Sequence, residues 1–466
     1  MTLALQAAPL LVLLALLASG RAGPIAACGV ALLLALPAIA LSLPAGATLP
    51  GFLPGASLSA AWLALQPMAI VAGGLAFHAA VERRGGAEAR PPSPARVFAV
   101  TLPLGCFLES VTGFAVGAVF ALAALRAMRI GGAVAVALAV QALVLVPWGG
   151  LGPGTLLGAT LAGVSPHAAA ALAAWPNAAW LVLLAPVLWW LQARAGLPVP
   201  PREKGMQALM LLVLGALLIA LHALVPFEVV GVLASGLVAL WALWRADPPR
   251  EGRAALRAAL PYLILTAALL AARAVPHPPA WRPFAELPAF PLTHVAVVLW
   301  AVALGLLLAG GEARARLGAA MARARRPMAV LFLYVLLGRW LAEGGVARAL
   351  AEAMVQGKGE SALLGMAPMG FLAGFVTGSN VGANAALMPV QAALGQVLGL
   401  PPLLAPAMHN FAGAAGAGMS VGVTAMLCAL LADGTRPAQV WRLLWPSMLL
   451  VALIGTAALF LLIRAA

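Results

Sequence analysis

Residues 97–125 read VFAVTLPLGCFLESVTGFAVGAVFALAAL, and the reading of this stretch decides the fold. It is apolar except for one carboxylate at its centre, Glu109, followed at once by Ser110-Val111-Thr112-Gly113. A straight membrane span needs only about 20 residues, so the run is too long for one crossing. Two half-helices that enter a bilayer and return fit its length. A carboxylate at membrane depth is costly, which marks Glu109 as a candidate functional residue. The other twelve acidic residues all fall in loops or at segment ends.

The same hydropathy continues along the chain. Of its 466 residues 64% are hydrophobic and 9% charged, and the mean hydropathy is +1.04. No ordinary soluble domain has this composition, and the apolar runs are continuous rather than alternating, which excludes a transmembrane β-barrel. The expectation is an all-α polytopic membrane protein forming one integral unit. A net charge of +14 would suggest nucleic acid for a soluble protein. Here the basic residues sit in short loops between spans, where they set topology, so no nucleic-acid partner is expected. Arg outnumbers Lys by 25 to 2, as GC-rich bacterial coding gives, so the expected location is a bacterial plasma (inner) membrane. Cys28, Cys106 and Cys428 lie far apart in apolar segments and offer neither metal-ligand spacing nor a disulfide framework. No cofactor or metal is expected. Leu10 to Ala18 has no Lys or Arg before it, the wrong polarity for a signal peptide, so it is read as a first span with its N-terminus outside.

Full spans are expected at 3–19, 24–43, 59–80, 131–163, 168–191, 206–224, 228–245, 258–273, 291–309, 327–342, 403–432 and 438–464, about 12 in all. Two segments, 96–128 and 361–396, stand apart as re-entrant hairpins. Charge supports this. Arg83, Arg84, Arg90 and Arg96 precede the first segment, and Arg126 and Arg129 end it, so a hairpin keeps both ends inside. The layout places 21 of the 27 Lys and Arg residues inside. Each half then reads three spans, a hairpin and two spans, with opposite starting sides. That is an inverted-topology repeat: 1–191 and 258–466, joined by a linker helix pair in 192–257.

The first hairpin turns near Ser110 to Gly113. The second turns within Thr377-Gly378-Ser379-Asn380-Val381-Gly382-Ala383-Asn384. Both tips contain Thr-Gly. Gly permits the turn, and Ser, Thr or Asn can cap the returning helix. The N-terminus of each returning half-helix offers free N–H groups and a positive dipole end, so two such tips facing one point would hold an anion without Lys or Arg. The plainer reading is that these residues only cap broken helices.

After each hairpin a long span carries a glycine-rich stretch: Pro147 to Gly154 in the first half and His409 to Gly418 in the second. Paired interrupted segments point to a transport site, although close helix packing also uses small residues. His409 reads as a hydrogen-bonded structural residue or a proton-coupling one. Gln141 precedes the first break and could serve only to tie helices together. The basic run Arg314 to Arg326 is amphipathic and suited to an anionic lipid surface.

At these motifs the chain resembles the lactate permease family, whose members import lactate and glycolate, typically by cation symport. Gly105-Cys106-Phe107-Leu108-Glu109-Ser110-Val111-Thr112-Gly113-Phe114 is similar to the family's acidic hairpin signature. Thr377-Gly378-Ser379-Asn380 with Asn384 is similar to its second signature, and Asn410, Gly413 and Gly416 match a following glycine-rich stretch. The resemblance covers roughly 104–165 and 365–425. The chain departs from the pattern at Ala115 and Gly117, where the family has glycine and a nearby proline. It departs again at Ala417 and Gly418, which replace Lys and Met, and after Ser420, where a Pro-Gln pair is missing.

The resemblance implies a secondary active transporter, not an enzyme, that imports lactate or a related small 2-hydroxymonocarboxylate by proton symport. The carboxylate would sit between the tips on Thr112, Gly113, Thr377, Gly378, Ser379 and Asn380, with Asn384 or Asn410 for the 2-hydroxyl. Glu109 and His409 are the proton-coupling candidates, because a carboxyl group out of water favours its neutral form and would not then repel the anion. A Na+-coupled transporter of another organic anion and an intramembrane enzyme are the alternatives. The partners expected are the organic anion, H+ or Na+, and lipid, with homodimerisation left open.

Overall fold

The computed structural model describes residues 2–82, 91–248 and 252–465. Four of the topology-setting arginines, Arg83, Arg84, Arg90 and Arg250, lie outside the described residues. Helices α1 (Thr2–Ser19) and α2 (Pro24–Ala40) lead into the long α3 (Leu49–Val81). Then come α4 (Pro94–Thr101), α5 (Pro103–Thr112) and α6 (Val116–Ala127). Helices α7 (Gly132–Val140) and α8 (Pro153–Leu161) are parted by an irregular stretch with 3-10 turns at Gln141–Leu143 and Val146–Leu151. Next are α9 (Pro166–Leu183), α10 (Ala185–Arg194), α11 (Pro201–Ala220), α12 (Phe227–Ala246) and α13 (Gly252–Arg273). Strands β1 (Ala280–Trp281) and β2 (Phe290–Pro291) pair antiparallel in the following connection. The chain continues with α14 (Val295–Gly310), α15 (Ala313–Glu343), α16 (Val346–Lys358), α17 (Leu363–Thr377) and α18 (Asn380–Val397). It ends with α19 (Leu404–Gly418), α20 (Val421–Leu431) and α21 (Pro437–Ala465).

The chain is a multi-pass helical membrane protein. Among the described residues nine helices or joined helices are long and apolar enough to cross a bilayer, or up to ten if the bent pair α8 and α9 forms one span. Four shorter apolar helices, of 10–17 residues, fall below that length. Large side chains on the outside are apolar: Leu33, Leu308 and Leu461 are 68%, 75% and 66% exposed. Leucines at such exposure suit contact with lipid tails, which are as apolar as they are.

Start signals explain several helix boundaries. Thr48 caps α3 by accepting from the Gly51 N–H at 3.4 Å, so that helix begins at Leu49 and not near residue 59. Ser93, Ser165 and Ser420 cap α4, α9 and α20 in the same way. The basic run Arg314 to Arg326 is the first half of α15 and not a separate surface helix. At 31 residues, α15 spans about 46 Å, more than the hydrocarbon core, so its basic half can stay in water. Beyond it comes α16, an amphipathic helix with Val346, Ala347 and Ala351 buried.

Helices pack through small residues, as expected where lipid removes the hydrophobic drive between them. A Cβ on Gly117 would overlap the Gly105 carbonyl, which shows how closely α6 folds back on α5. Gly338 of α15 lies equally close to the Ala385 carbonyl of α18. Polar contacts fix which loops share a face. Glu203 of α11 pairs with Arg245 of α12 and accepts from Gln207 (3.1 Å), which also donates to the Pro94 carbonyl at the base of α4 (3.3 Å). Asp433 accepts from the Gly132 N–H at 2.8 Å, and Arg126 donates to the Leu430 carbonyl at 3.0 Å. The Thr435 hydroxyl and the Gly132 N–H hold the Asp433 carboxyl below the usual carboxylate range.

Candidate functional site

The first tip is a turn of three consecutive positive-φ residues, Gly113 (70°), Phe114 (58°) and Ala115 (59°). Left-handed backbone costs a residue with a Cβ roughly 1–2 kcal/mol, so Phe114 and Ala115 are strained. The turn and the start of α6 deliver two N–H groups to one side chain. Glu109, 5% exposed on α5, accepts from the Ala115 N–H through Oε1 (3.1 Å) and from the Gly117 N–H through Oε2 (3.2 Å). The carboxylate therefore occupies the N-terminus of α6, where the helix dipole favours negative charge.

The first tip rests on the irregular stretch after α7. Gly149 faces the Glu109 side chain, and a Cβ there would lie 3.8 Å from Glu109 Cγ. Gly113 is packed against Gly150, whose Cα lies 3.1 Å from the Gly113 Cβ position. Gly149 is extended (ψ 136°), and Gly150 and Gly152 are left-handed. The expected first break is thus present, and its glycines serve both the turn and the close approach. Trp148, fully buried, donates from Nε1 to His222 Nε2 at 3.3 Å. Ser110 Oγ is buried without a partner among the described residues.

The second tip is built differently. Gly378 is left-handed (φ 69°) and ends α17, and Ser379 caps α18 by accepting from the Gly382 N–H at 3.4 Å. Behind it the three asparagines meet. Asn410 Oδ1 accepts from Asn384 Nδ2 at 2.9 Å and from Asn380 Nδ2 at 3.2 Å. Asn410 Nδ2 donates to Thr155 Oγ1 at 2.9 Å, and that hydroxyl donates to the Pro147 carbonyl at 2.6 Å. Asn384 also donates to the Gly154 carbonyl at 2.9 Å. The node ties α18, α19 and α8 together. Oδ1 of Asn380 and of Asn384 remain buried without a donor among the described residues.

The residues singled out from sequence therefore fall into two groups. Glu109, Thr112 and Gly113 form the first tip. Thr377, Gly378, Ser379, Asn380, Asn384 and Asn410 form the second tip and its support. Residues 149–154 run between them, with Gly150 against Gly113 and Gly154 against Asn380, whose Nδ2 lies 2.7 Å from the Gly154 Cβ position. Thr112 donates to the Leu108 carbonyl (2.6 Å) and Thr377 to the Ala373 carbonyl (2.7 Å), so both hydroxyls serve their own helices here. His409 Nε2 lies 3.1 Å from the Ala383 carbonyl and Nδ1 has no partner among the described residues; Glu109 bonds elsewhere, so the two coupling candidates do not meet. Gln141 donates to the Ala137 carbonyl of its own helix at 2.9 Å.

The second glycine-rich stretch is not where its span breaks. Helix α19 runs unbroken to Gly418, and the interruption comes at Met419-Ser420. Gly413 and Gly416 instead let α17 approach, since a Cβ on Gly416 would overlap the Phe371 carbonyl and one on Gly374 the Gly413 carbonyl. Thr155 was not singled out from sequence, although a hydroxyl directly after Pro153-Gly154 at the start of a returning helix is a readable signal.

Residues 288–464 match the family model described as L-lactate permease. Among solved structures the chain is similar to the Alcanivorax borkumensis YdaH transporter, whose crystal structure reveals an unusual topology. The two are 16% identical with a TM-score of 0.49, over 94% of this chain and 97% of that one. No curated protein matches the chain. The part of the chain that is similar to the L-lactate permease family thus runs from the connection before α14 into α21.

Proposed function

We propose that the chain is a secondary active transporter that imports lactate or a related small 2-hydroxymonocarboxylate together with a proton. The observation that carries this reading is the convergence of both helix–turn–helix tips on residues 149–154. Each tip ends in the N-terminus of a returning helix, and neither places a Lys or Arg there. Backbone N–H groups at such ends suit a small carboxylate. The asparagine node supplies amide groups for a hydroxyl beside it.

On this reading 1–191 and 258–466 are inverted repeats, with α4–α6 and α17–α18 as the matched hairpins and 192–257 as the linker pair. Glu109 links proton and substrate. Ionised, it fills the α6 N-terminus itself. Burial opposes that charge and the two N–H bonds favour it, so the balance is open to a proton. A protonated Glu109 gives up acceptor capacity on one oxygen, and the N–H group released there can take the substrate carboxylate.

Purified protein in vesicles should accumulate labelled lactate or glycolate when a pH gradient is imposed, and should do so without a Na+ gradient. Uptake of no 2-hydroxyacid sinks the proposal, and uptake that follows Na+ alone replaces the proton with Na+. In Glu109→Gln the amide keeps one acceptor oxygen and cannot ionise, so exchange of substrate should survive while pH-driven accumulation falls at least ten-fold. Accumulation that still follows the pH gradient would remove Glu109 from the coupling role.

A further inference from the structure

The asparagine node and the Ser379 cap occupy one side of the second tip. On the other side stands a hydroxyl that makes no hydrogen bond among the described residues. Tyr334 of α15 is 1% exposed, and its OH has no hydrogen-bond partner among the described residues. Burying a hydroxyl without a partner is unfavourable, and a phenylalanine would fill the same space without that cost. The ring lies against Gly382, three residues into the returning half of the tip. A Cβ there would be 3.0 Å from Tyr334 Cε2, 3.1 Å from Tyr334 Cζ, which carries the hydroxyl, and 3.1 Å from Thr377 Cβ. Gly382 is thus needed to admit the ring, and Tyr334 and Thr377 converge on it.

Thr377, Gly378 and Ser379 are partly exposed, while Tyr334, Asn380 and Gly382 behind them are buried. The outer face of the tip is thus open at the protein surface, with buried polar groups behind it. Asn380 Oδ1, also buried and without a donor among the described residues, is a second unused group at the same tip.

Resting on the transport reading above, we infer that Tyr334 is a substrate-binding residue whose hydroxyl donates to the carboxylate of a monocarboxylate seated on the second tip. The α18 N-terminus supplies the positive dipole end, and the tyrosine adds a directed O–H donor from a different helix. Asn380 Oδ1 is left to accept from a ligand hydroxyl.

The test is Tyr334→Phe, which removes one oxygen and, among the described residues, no hydrogen bond. Thermal unfolding of the purified variant should match or exceed wild type. Its KM for lactate, glycolate and acetate uptake should rise together, roughly ten-fold or more, as expected for a lost hydrogen bond to a charged group. Ligand-induced thermal shifts of the same protein should weaken in parallel, which gives a binding readout independent of transport. An unchanged KM in a stable variant overturns the assignment and leaves the transport reading standing. A rise confined to lactate and glycolate overturns it too, because the hydroxyl would then serve the 2-OH. Wild-type protein that binds none of the three acids overturns the transport reading and this inference with it.

Discussion

Asn410→Leu should abolish uptake and lower stability together. Asn410 stands at the centre of the buried node, accepting from Asn380 and Asn384 and donating to Thr155. Leucine has the same branched shape, a larger volume and none of these functions. It therefore leaves one N–H of Asn380 and one of Asn384 without an acceptor, while Asn384 keeps its bond to the Gly154 carbonyl and Thr155 its bond to the Pro147 carbonyl. Each buried orphan costs about 1–3 kcal/mol in a soluble core. In membrane proteins the mean per hydrogen bond is nearer 0.6 kcal/mol, because the unfolded chain in lipid also finds partners. A loss of about 1–3 kcal/mol for the node is the reasonable middle, enough to shift the melting curve in detergent without preventing folding. The functional effect should be larger than the stability effect, since the node fixes the start of α18 against α8 and so shapes the second tip. Asn384→Ala combined with Asn410→Ala should be clearly non-additive, because the two share a bond. Wild-type uptake in Asn410→Leu would remove the node from the site.

Much of this arrangement can be read in the sequence, for physical reasons that also mark where reading stops. Glu109 stands out because a carboxylate inside a long apolar run has few bland explanations. The two Thr-Gly tips stand out because turns at membrane depth need glycine and capping side chains. The helix–turn–helix elements at Pro94–Ala127 and Leu363–Val397 lie close to the segments expected at 96–128 and 361–396. What the sequence cannot display is contact between distant segments. Thr155 and Asn410 are 255 positions apart, and neither residue type is unusual in a membrane helix. Tyr334 becomes interesting only once Gly382 is seen against its ring. The partner of Glu109 was equally hidden, because backbone N–H groups carry no sequence signature. Glycine was ambiguous in a more general way. In 149–152 it makes the turn, and in α19 it lets another helix approach, although both stretches look like breaks.

That ambiguity leads to the largest expected effect on folding. Gly374→Ala and Gly416→Ala should each prevent recovery of well-folded protein, whereas Gly365→Ala should be neutral or mildly stabilising. Gly365 and Gly374 lie in the same helix, α17, so helix propensity alone predicts a gain of roughly 0.5–1 kcal/mol at both. The surroundings decide the sign. A Cβ on Gly365 meets no atom within 4 Å, and one on Gly374 would overlap the Gly413 carbonyl of α19. A Cβ on Gly416 meets the Phe371 carbonyl from the opposite side of the same contact. Overpacking against side chains typically costs about 1–3 kcal/mol. Backbone cannot swing aside as a rotamer can, so the cost here should lie at or above that range. Size-exclusion profiles and melting curves of the three variants in detergent test this. A well-folded Gly374→Ala with the wild-type melting point would show that α17 and α19 can separate freely. If they cannot, the second tip and the helix that carries Asn410 are one body. Any movement that exposes the site to the other side of the membrane must then carry α17, α18 and α19 together, and the flexible elements must be sought at Met419-Ser420 and in residues 141–152.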